Sequence, residues 1–380
     1  MDFKMSEEHQ QLQEMYRDFA VNEVKPIAKE IDETMRFPSE NIEKMAEMGL
    51  FGIPFPEELG GAGMDNLSYV QCVEELSKCC GSTGIIVSVH TSLCAMPIYQ
   101  YGTDEQKEKY LKPLASGEML GAFALTEPSA GTDASMAKTT AVLDGDHYVL
   151  NGSKIFITNA GYADVYVILA MTDKSMGTKG MSAFIVEKDT PGFSIGTHEV
   201  KMGIRASATC ELVFDDCRVP KENLLGKEGK GFGLAMATLD GGRIGVAAQA
   251  LGIAEGAIEE TVKYVTERVQ FGRTLSKFQN TQFELAKMRA NTEAAKLLVY
   301  QAARAVDDGE RFSHLAAMAK LVASGNASDV TRRCLQLFGG YGFTSDYPIE
   351  RMMRDAKITE IYEGTSEVQM MVISGWMGVK

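Results

Sequence analysis

Thr139-Thr140-Ala141-Val142-Leu143 runs into Asp144-Gly145, His147-Tyr148-Val149-Leu150 runs into Asn151-Gly152, and Lys154-Ile155-Phe156-Ile157 follows. Short β-branched and aromatic runs separated by Asp-Gly and Asn-Gly are the strongest local hairpin signal, because those dipeptides tolerate the positive φ of tight turns. Three further runs lie downstream: Val165-Tyr166-Val167-Ile168-Leu169, Ser182-Ala183-Phe184-Ile185-Val186 and Glu211-Leu212-Val213-Phe214. Several strands within about 100 residues, with no helical pattern between them, predict a barrel or sandwich over residues 121–231.

Helical patterns flank this segment on both sides. Upstream, in residues 1–120, Ser6-Glu7-Glu8 reads as a helix start, and Leu12, Met15 and Phe19 follow at spacings of three and four. A Gly/Pro-rich break between Gly52 and Gly63 separates this region from helical zones at about 67–80 and from Gly84 to Met96, the latter nearly free of charge and expected to be buried. Downstream, in residues 232–380, Leu285, Met288, Ala295, Leu298, Ala302 and Val306 line one helix face. Leu315, Met318, Val322 and Leu335 line another, which stops at Gly339-Gly340. The order is helices, strands, helices: an α+β, multidomain chain.

The totals exclude several function classes. The chain of 380 residues carries 38 Lys and Arg against 52 Asp and Glu, a net charge of −14. So acidic a surface repels phosphate backbones, and no nucleic-acid partner is expected. The imbalance falls before residue 231; residues 231–380 hold 17 basic and 17 acidic side chains, so this segment can self-associate without net repulsion. Seven cysteines without a CxxC pair, and five histidines without HExxH spacing, describe a reduced, cytoplasmic type of inventory with no metal site. No apolar run approaches the roughly 20 residues of a membrane helix. The opening Met1-Asp2-Phe3-Lys4 lacks the basic and apolar regions of a secretory signal.

Neither GxxxxGK[ST] nor a GxGxxG between strand and helix is present. Three other segments are unusual. Phe123-Ala124-Leu125-Thr126-Glu127-Pro128-Ser129-Ala130-Gly131-Thr132-Asp133 is either a polar surface turn or a loop that offers backbone N–H groups and hydroxyls to a ligand. Gln336-Leu337-Phe338-Gly339-Gly340-Tyr341-Gly342-Phe343 reads as a helix C-cap, a close-approach site for a ligand, or both. Glu360-Ile361-Tyr362-Glu363-Gly364-Thr365-Ser366-Glu367 is either a capping segment or a carboxylate base beside a glycine, Gly364, that lets substrate approach.

In this order, these segments resemble the acyl-CoA dehydrogenase family of flavoproteins, and the likeness covers essentially the whole chain. Its strongest words are Leu125 to Asp133, Leu150-Asn151-Gly152-Ser153-Lys154 continuing to Ile157-Thr158-Asn159, Arg268-Val269-Gln270-Phe271-Gly272, Gln336 to Gly340, and Arg354-Asp355-Ala356-Lys357 continuing to Glu367. Within the family the chain looks most like bacterial short-chain members acting on butyryl-CoA. The resemblance implies an N-terminal helical domain, a central β domain and a C-terminal four-helix domain, assembled as a homotetramer with one FAD per subunit. Carried over position by position, it puts Phe123, Leu125, Thr126, Gly131 and Thr132 against the flavin. Phe156 lies on the flavin face, where many relatives have Trp, and Thr158 near N5. It sends Arg268, Gln270, Phe271, Phe278 and Gln279 to a neighbour's FAD, with Gln336, Gly339 and Gly340 on the other side of that dinucleotide. Thr365 and Glu367 flank the cofactor in their own subunit, and Thr132, Asp240, Arg243 and Gly364 contact acyl-CoA.

The implied reaction is α,β-dehydrogenation of an acyl-CoA to a trans-2-enoyl-CoA, with electrons passed to an electron-transferring flavoprotein. A C–H beside a thioester is a weak acid, so the site needs a base of matched pKa. Glu363 is the expected base, and closure by substrate should push its pKa toward neutrality. Some relatives carry the base on the segment matching Asp240-Gly241-Gly242-Arg243; here that segment has no Glu. No Lys or Arg occurs between Lys78 and Lys107, which disfavours dicarboxylic substrates. An acyl-CoA oxidase or a branched-chain dehydrogenase on the same fold is the alternative; a non-catalytic flavin-binding scaffold is the contrasting class.

Overall fold

The computed structural model describes residues 5–379, and the Met1 to Lys4 opening lies outside them. The N-terminal part is helical: α1 (Glu7–Phe19), α2 (Ala28–Thr34), α3 (Ser39–Glu47), α4 (Asn66–Cys79), α5 (Gly81–Ser88), α6 (Met96–Tyr101), α7 (Asp104–Gln106) and α8 (Lys112–Ala115). Ser6 accepts from the His9 N–H at 3.2 Å, and Asp65 from the Ser68 N–H at 2.8 Å, so α1 and α4 both begin at side-chain caps. A π-helical turn over Val89–Ala95 joins α5 to α6. The resulting stretch Gly81–Tyr101 is 21 residues long and apolar enough to cross a membrane, longer than the sequence pattern suggested. It is a core helix instead, with 94% of its apolar window buried inside the protein.

The middle part is a sheet in the order β6-β7-β3-β2-β4-β5-β8, with β1 (Gly121–Ala124) pairing parallel to β4 (Val165–Met171). Its other strands are β2 (Thr140–Asp144), β3 (His147–Thr158), β5 (Met181–Glu187), β6 (Phe193–His198), β7 (Thr209–Pro220) and β8 (Leu224–Leu225). The Asp144-Gly145 signal is a true hairpin turn, with Asp144 paired to His147. The Asn151-Gly152 signal is not: both residues lie inside β3, at a register shift against β7. Gly152 sits at φ 142°, and a Cβ there would come within 2.7 Å of Thr139 Oγ1. The glycine therefore serves a bulge and a close approach rather than a turn. Both faces of the sheet are covered. Tyr166, Ile168 and Ala170 of β4 face a core closed within the sheet, with Tyr148, Phe184 and Leu212. Val165, Val167 and Leu169 face the helices.

From residue 231 the chain is helical again: α9 (Gly231–Glu267), α10 (Gln279–Asp307), α11 (Ser313–Phe338), α12 (Ile349–Ile358) and α13 (Ser366–Trp376), with a small ribbon of β9 (Val269–Gln270) and β10 (Arg273–Thr274). α9 packs against α11, α10 and α4 and so ties the two helical parts together. The expected apolar face of α10 holds, with Met288, Ala295 and Ala302 buried. That of α11 is rotated: Val322 is exposed, and the buried stripe runs through Ala319, Ala323, Ala327, Val330 and Cys334. Small side chains there let α11 approach α9 closely, so bulk was the wrong guide to its inner face. All seven cysteines are free and buried, and no group of metal-ligating side chains occurs among the described residues.

A buried ion network closes the joint between α4, α9 and α10. Lys78 reaches Glu255 at 2.6 Å and Glu75 at 2.9 Å, Lys296 reaches Glu74 and Glu255 at 2.9 Å each, and the Tyr300 hydroxyl donates to Glu74 at 2.7 Å. Burial and the Glu255 charge push Glu74 up, whereas on Glu255 the two lysines outweigh burial and hold its carboxyl low. Removing one member strands the others without water. Lys78→Met, which keeps the apolar stem, should lower unfolding stability by about 3–5 kcal/mol in a urea titration. A change below about 1 kcal/mol would mean the network adds nothing to the joint.

Candidate active site

The turn between α12 and α13 carries an unusual carboxylate. Glu363 has φ 52° and Gly364 has φ 98°, two successive left-handed residues, the first one not a glycine. This turn folds Glu363 inward. Both its carboxyl oxygens are shut off from solvent, and among the described residues neither has a hydrogen-bond partner. Burial pushes its pKa up to about 7, against the opposing charges of Lys320 and Arg243. Gly242 of α9 lies directly beneath, and a methyl group there would overlap Glu363 Oε2. Glycine at 242 is thus the condition for the carboxyl's position.

Around the carboxyl stand Leu93, Tyr69, Arg243 and Tyr362. Arg243 pairs with Asp240, which also accepts from the Ser313 hydroxyl at 2.5 Å, while Arg243 Nε is buried without a partner among the described residues. The Tyr362 hydroxyl donates to Gln249 Oε1, and Gln249 Nε2 donates to the Gly81 carbonyl at 2.9 Å. Beside this group opens a small cavity lined among others by Tyr69, Ser92, Met96, Thr238, Gly241 and Ile244. No charged side chain lines it among the described residues.

A second set of expected residues lies where β1 and β3 end. Phe123 and Leu125 are buried, Thr126 is half-buried, and Gly131 and Thr132 are exposed. Lys154, fully buried, donates to the Leu125 carbonyl at 3.0 Å and to Glu127 Oε1 at 2.7 Å. Glu127 also accepts from the backbone N–H groups of Lys138 (2.5 Å) and Thr139 (3.0 Å). Burial opposes the Glu127 charge, but Lys154 and these donors outweigh it and keep the carboxyl ionised. The loop from 125 to 139 is therefore clamped onto β3. The Ile155 N–H donates to the Thr126 carbonyl at 3.0 Å, which sets Thr126 beside Phe156. Phe156 has φ 59° and stands 59% exposed, an aromatic ring turned out of the strand with nothing of its own to cover it. Thr158 follows two residues on, half-buried.

The third set is far from the Glu363 carboxyl. Arg268 ends α9, and 25 residues separate it from Arg243, which at about 1.5 Å per residue is roughly 38 Å along the helix. Its guanidinium lies 5.2 Å from the Tyr341 ring, which brings the 268–272 ribbon beside the 339–341 turn. Phe271 is 92% exposed and meets Phe278 edge-on at 6.3 Å. Gln270, Gln279, Gln336, Gly339 and Gly340 are all exposed, and the two glycines face open space. Thr365 caps α13 and Glu367 is exposed in its first turn. Glu360 is paired with Lys357 at 2.6 Å.

The sequence reading missed Lys320, Tyr69, Gln249 and the Lys154–Glu127 pair. Lys320 left a trace, a single charge inside an alanine-rich stripe of α11. Gln249 did not, since a Gln on a long helix has no local signature.

Three domain patterns of one family match the chain in order: acyl-CoA dehydrogenase N-terminal domain over residues 6–118, middle domain over 122–217 and C-terminal domain over 229–378. The chain is 63% identical to a short-chain specific acyl-CoA dehydrogenase of Clostridium acetobutylicum, with 99% of each chain covered. Its fold superposes on butyryl-CoA dehydrogenase from Megasphaera elsdenii with a TM-score of 0.98 at 53% identity, covering 99% of this chain and 100% of that one. A chain of equal TM-score and 58% identity, 99% of each covered, comes from a structure of the electron transferring flavoprotein of Acidaminococcus fermentans, described as a step towards a mechanism of flavin-based electron bifurcation. With all three domains matched over nearly its full length, the chain belongs to the acyl-CoA dehydrogenase family.

Proposed function

We propose that this protein dehydrogenates a short-chain acyl-CoA, butyryl-CoA above all, to the trans-2-enoyl-CoA, with Glu363 as the base for the α-proton. One observation carries the reading: a carboxyl poised near neutrality, with both oxygens unpartnered, beside a cavity that holds no charge. A carboxylate that spends no lone pair on the protein is free to accept a substrate proton. The uncharged lining suits an acyl chain and gives a second carboxylate no counter-ion.

The residues fit FAD. The exposed Phe156 ring, the clamped 125–132 loop and Thr158 form a platform for a planar aromatic group. FAD, when bound, supplies a hydride acceptor for the β-hydrogen. The protein's own part is to hold the acyl group between that platform and Glu363, to exclude water, and to take the α-proton on a Glu363 oxygen. Arg243 and Lys320 keep part of the base ionised at neutral pH. The Arg268 cluster is too far from Glu363 to touch the same cofactor, about 38 Å along α9, so it serves a second copy of this chain. That favours a homo-oligomer with shared sites, a tetramer in this reading. An electron-transferring flavoprotein is the proposed acceptor, in keeping with the Acidaminococcus likeness. An acyl-CoA oxidase would differ in reacting rapidly with oxygen, and a branched-chain dehydrogenase in its acyl preference.

Anaerobic titration with C4, C6 and C8 acyl-CoAs, followed by the flavin spectrum, tests the reading. Bleaching is expected first with the C4 substrate; a colourless protein that refuses added FAD would sink it. Glu363→Gln should bind butyryl-CoA and perturb the flavin spectrum without bleaching it, at least 10²-fold slower than the parent because general-base catalysis contributes about 10²–10⁴.

The pH dependence has a definite sign. The base acts only when ionised, and its pKa is raised to about 7, so kcat/KM should climb as pH rises through about 7 and fall below it. A profile flat from pH 5.5 to 8.5 would show that no such group limits the rate. Arg268→Ala should lose both FAD occupancy and oligomer stability, since a truncated charge-assisted contact to phosphate costs about 1.5–3 kcal/mol. Unchanged FAD affinity by equilibrium dialysis would argue against sharing between subunits.

A further inference from the structure

Lys320 of α11 is fully buried in an alanine-rich stripe, and the reaction above uses its charge but not the bond it makes. Its ammonium donates to the Gly364 carbonyl at 2.6 Å, the carbonyl next after the base. The same carbonyl accepts from Gln369 Nε2 at 2.8 Å. Two donors thus hold the one carbonyl of a turn whose residues, Glu363 and Gly364, are both left-handed. A non-glycine residue in that region stays there only when its surroundings hold it.

We propose that Lys320 is a positioning residue for proton abstraction: anchored on the Gly364 carbonyl, it holds the Glu363–Gly364 turn in place and sets a fixed positive charge behind the base. This rests on the reading of Glu363 as the base. The charges facing Lys320 are Glu363 and Glu360 on the turn, Glu367 on α13 and Arg243 on α9. Toward Glu363 itself the facing groups are Lys320, Arg243 and two neutral phenols, Tyr69 of α4 and Tyr362. Burial pulls the Lys320 ammonium down to about 8, with Glu363 pulling the other way, so it is still charged at neutral pH. The coupling is mutual: the ammonium favours the carboxylate, and the carboxylate favours the ammonium. Loss of the charge raises the pKa of the base; loss of the hydrogen bond frees the turn.

The experiment compares Lys320→Met, Lys320→Arg and Glu363→Gln as FAD-loaded enzymes. It measures flavin reduction by butyryl-CoA in single turnover from pH 5.5 to 9, together with infrared titration of the Glu363 carboxyl in the apoprotein, taken as a difference against Glu363→Gln. Lys320→Met is expected to retain FAD, to reduce it tenfold or more slower at pH 7, and to move the midpoints of both titrations upward by at least half a pH unit. Lys320→Arg keeps the charge, so its midpoints should stay at the parent's while its rate falls, because a longer, planar head does not reproduce the bond to Gly364. A purely structural lysine would leave the midpoints unmoved. Parent rate and parent midpoints in Lys320→Met overturn the proposal. If Lys320→Met does not hold FAD, Lys320→Arg decides, and an upward shift of its midpoints overturns it. The two readings fail separately. Bleaching in Glu363→Gln removes the base but leaves the infrared coupling to be read; silence in Glu363→Gln with an unperturbed Lys320→Met removes only the positioning role.

Discussion

An ionisable carboxyl held away from water without a donor is costly, and in this protein Glu363 is held that way. The expense appears as a pKa near 7 rather than as an unfolded turn, because the carboxyl can take up a proton instead of remaining a bare charge. Everything near it follows from that constraint. Gly242 withholds a side chain where the carboxyl must lie, Lys320 and Gln369 hold the carbonyl behind it, and Arg243 keeps a cation near without bonding to it directly. The hydrogen bonds go to the backbone of the turn and leave the Glu363 oxygens free among the described residues.

α9 is the element that makes this arrangement coherent. Its N-terminal half carries Asp240, Gly242 and Arg243 to the Glu363 carboxyl, its middle carries Gln249 and Glu255 into the core, and its C-terminus delivers Arg268 to a distant surface. Rigidity along such a length requires packing on several sides, and α4, α10 and α11 provide it. The Lys78, Lys296, Glu74 and Glu255 network sits at the crossing of three of these helices. A buried network of this kind tolerates few alternative alignments, since a shifted helix would leave a charge unpaired.

The β part obeys a similar logic. The loop from 125 to 139 has no regular structure of its own beyond two short turns, yet a lysine from β3 reaches under it and pairs with Glu127 in the interior. A loop bound in this way holds Thr126 at a fixed separation from Phe156. Phe156 is left-handed and exposed, and Phe271 is left-handed and almost wholly exposed. Both are bulky non-glycine residues held in a sparsely populated backbone region with their rings on the surface.

Local pattern alone carried the order of helices and strands, the hairpin at Asp144-Gly145, the helix start at Ser6, and the apolar face of α10, because each is set by neighbours within a few residues. The motif words went further and singled out Glu363, Gly364 and Arg268 as candidates, since the residues of each word are written contiguously in the chain. Pattern failed where a distant element decided the outcome. Asn151-Gly152 reads as a turn but is a bulge, because Thr139 approaches too closely for any side chain. α11 presents its alanines rather than its bulky residues, because α9 must come near. The pKa of Glu363, the role of Gly242 and the bond from Lys320 could not be read at all. They exist only once residues 121 and 43 positions away from Glu363, on two other helices, are folded against its turn, and burial and Coulomb interaction act through space rather than along the chain.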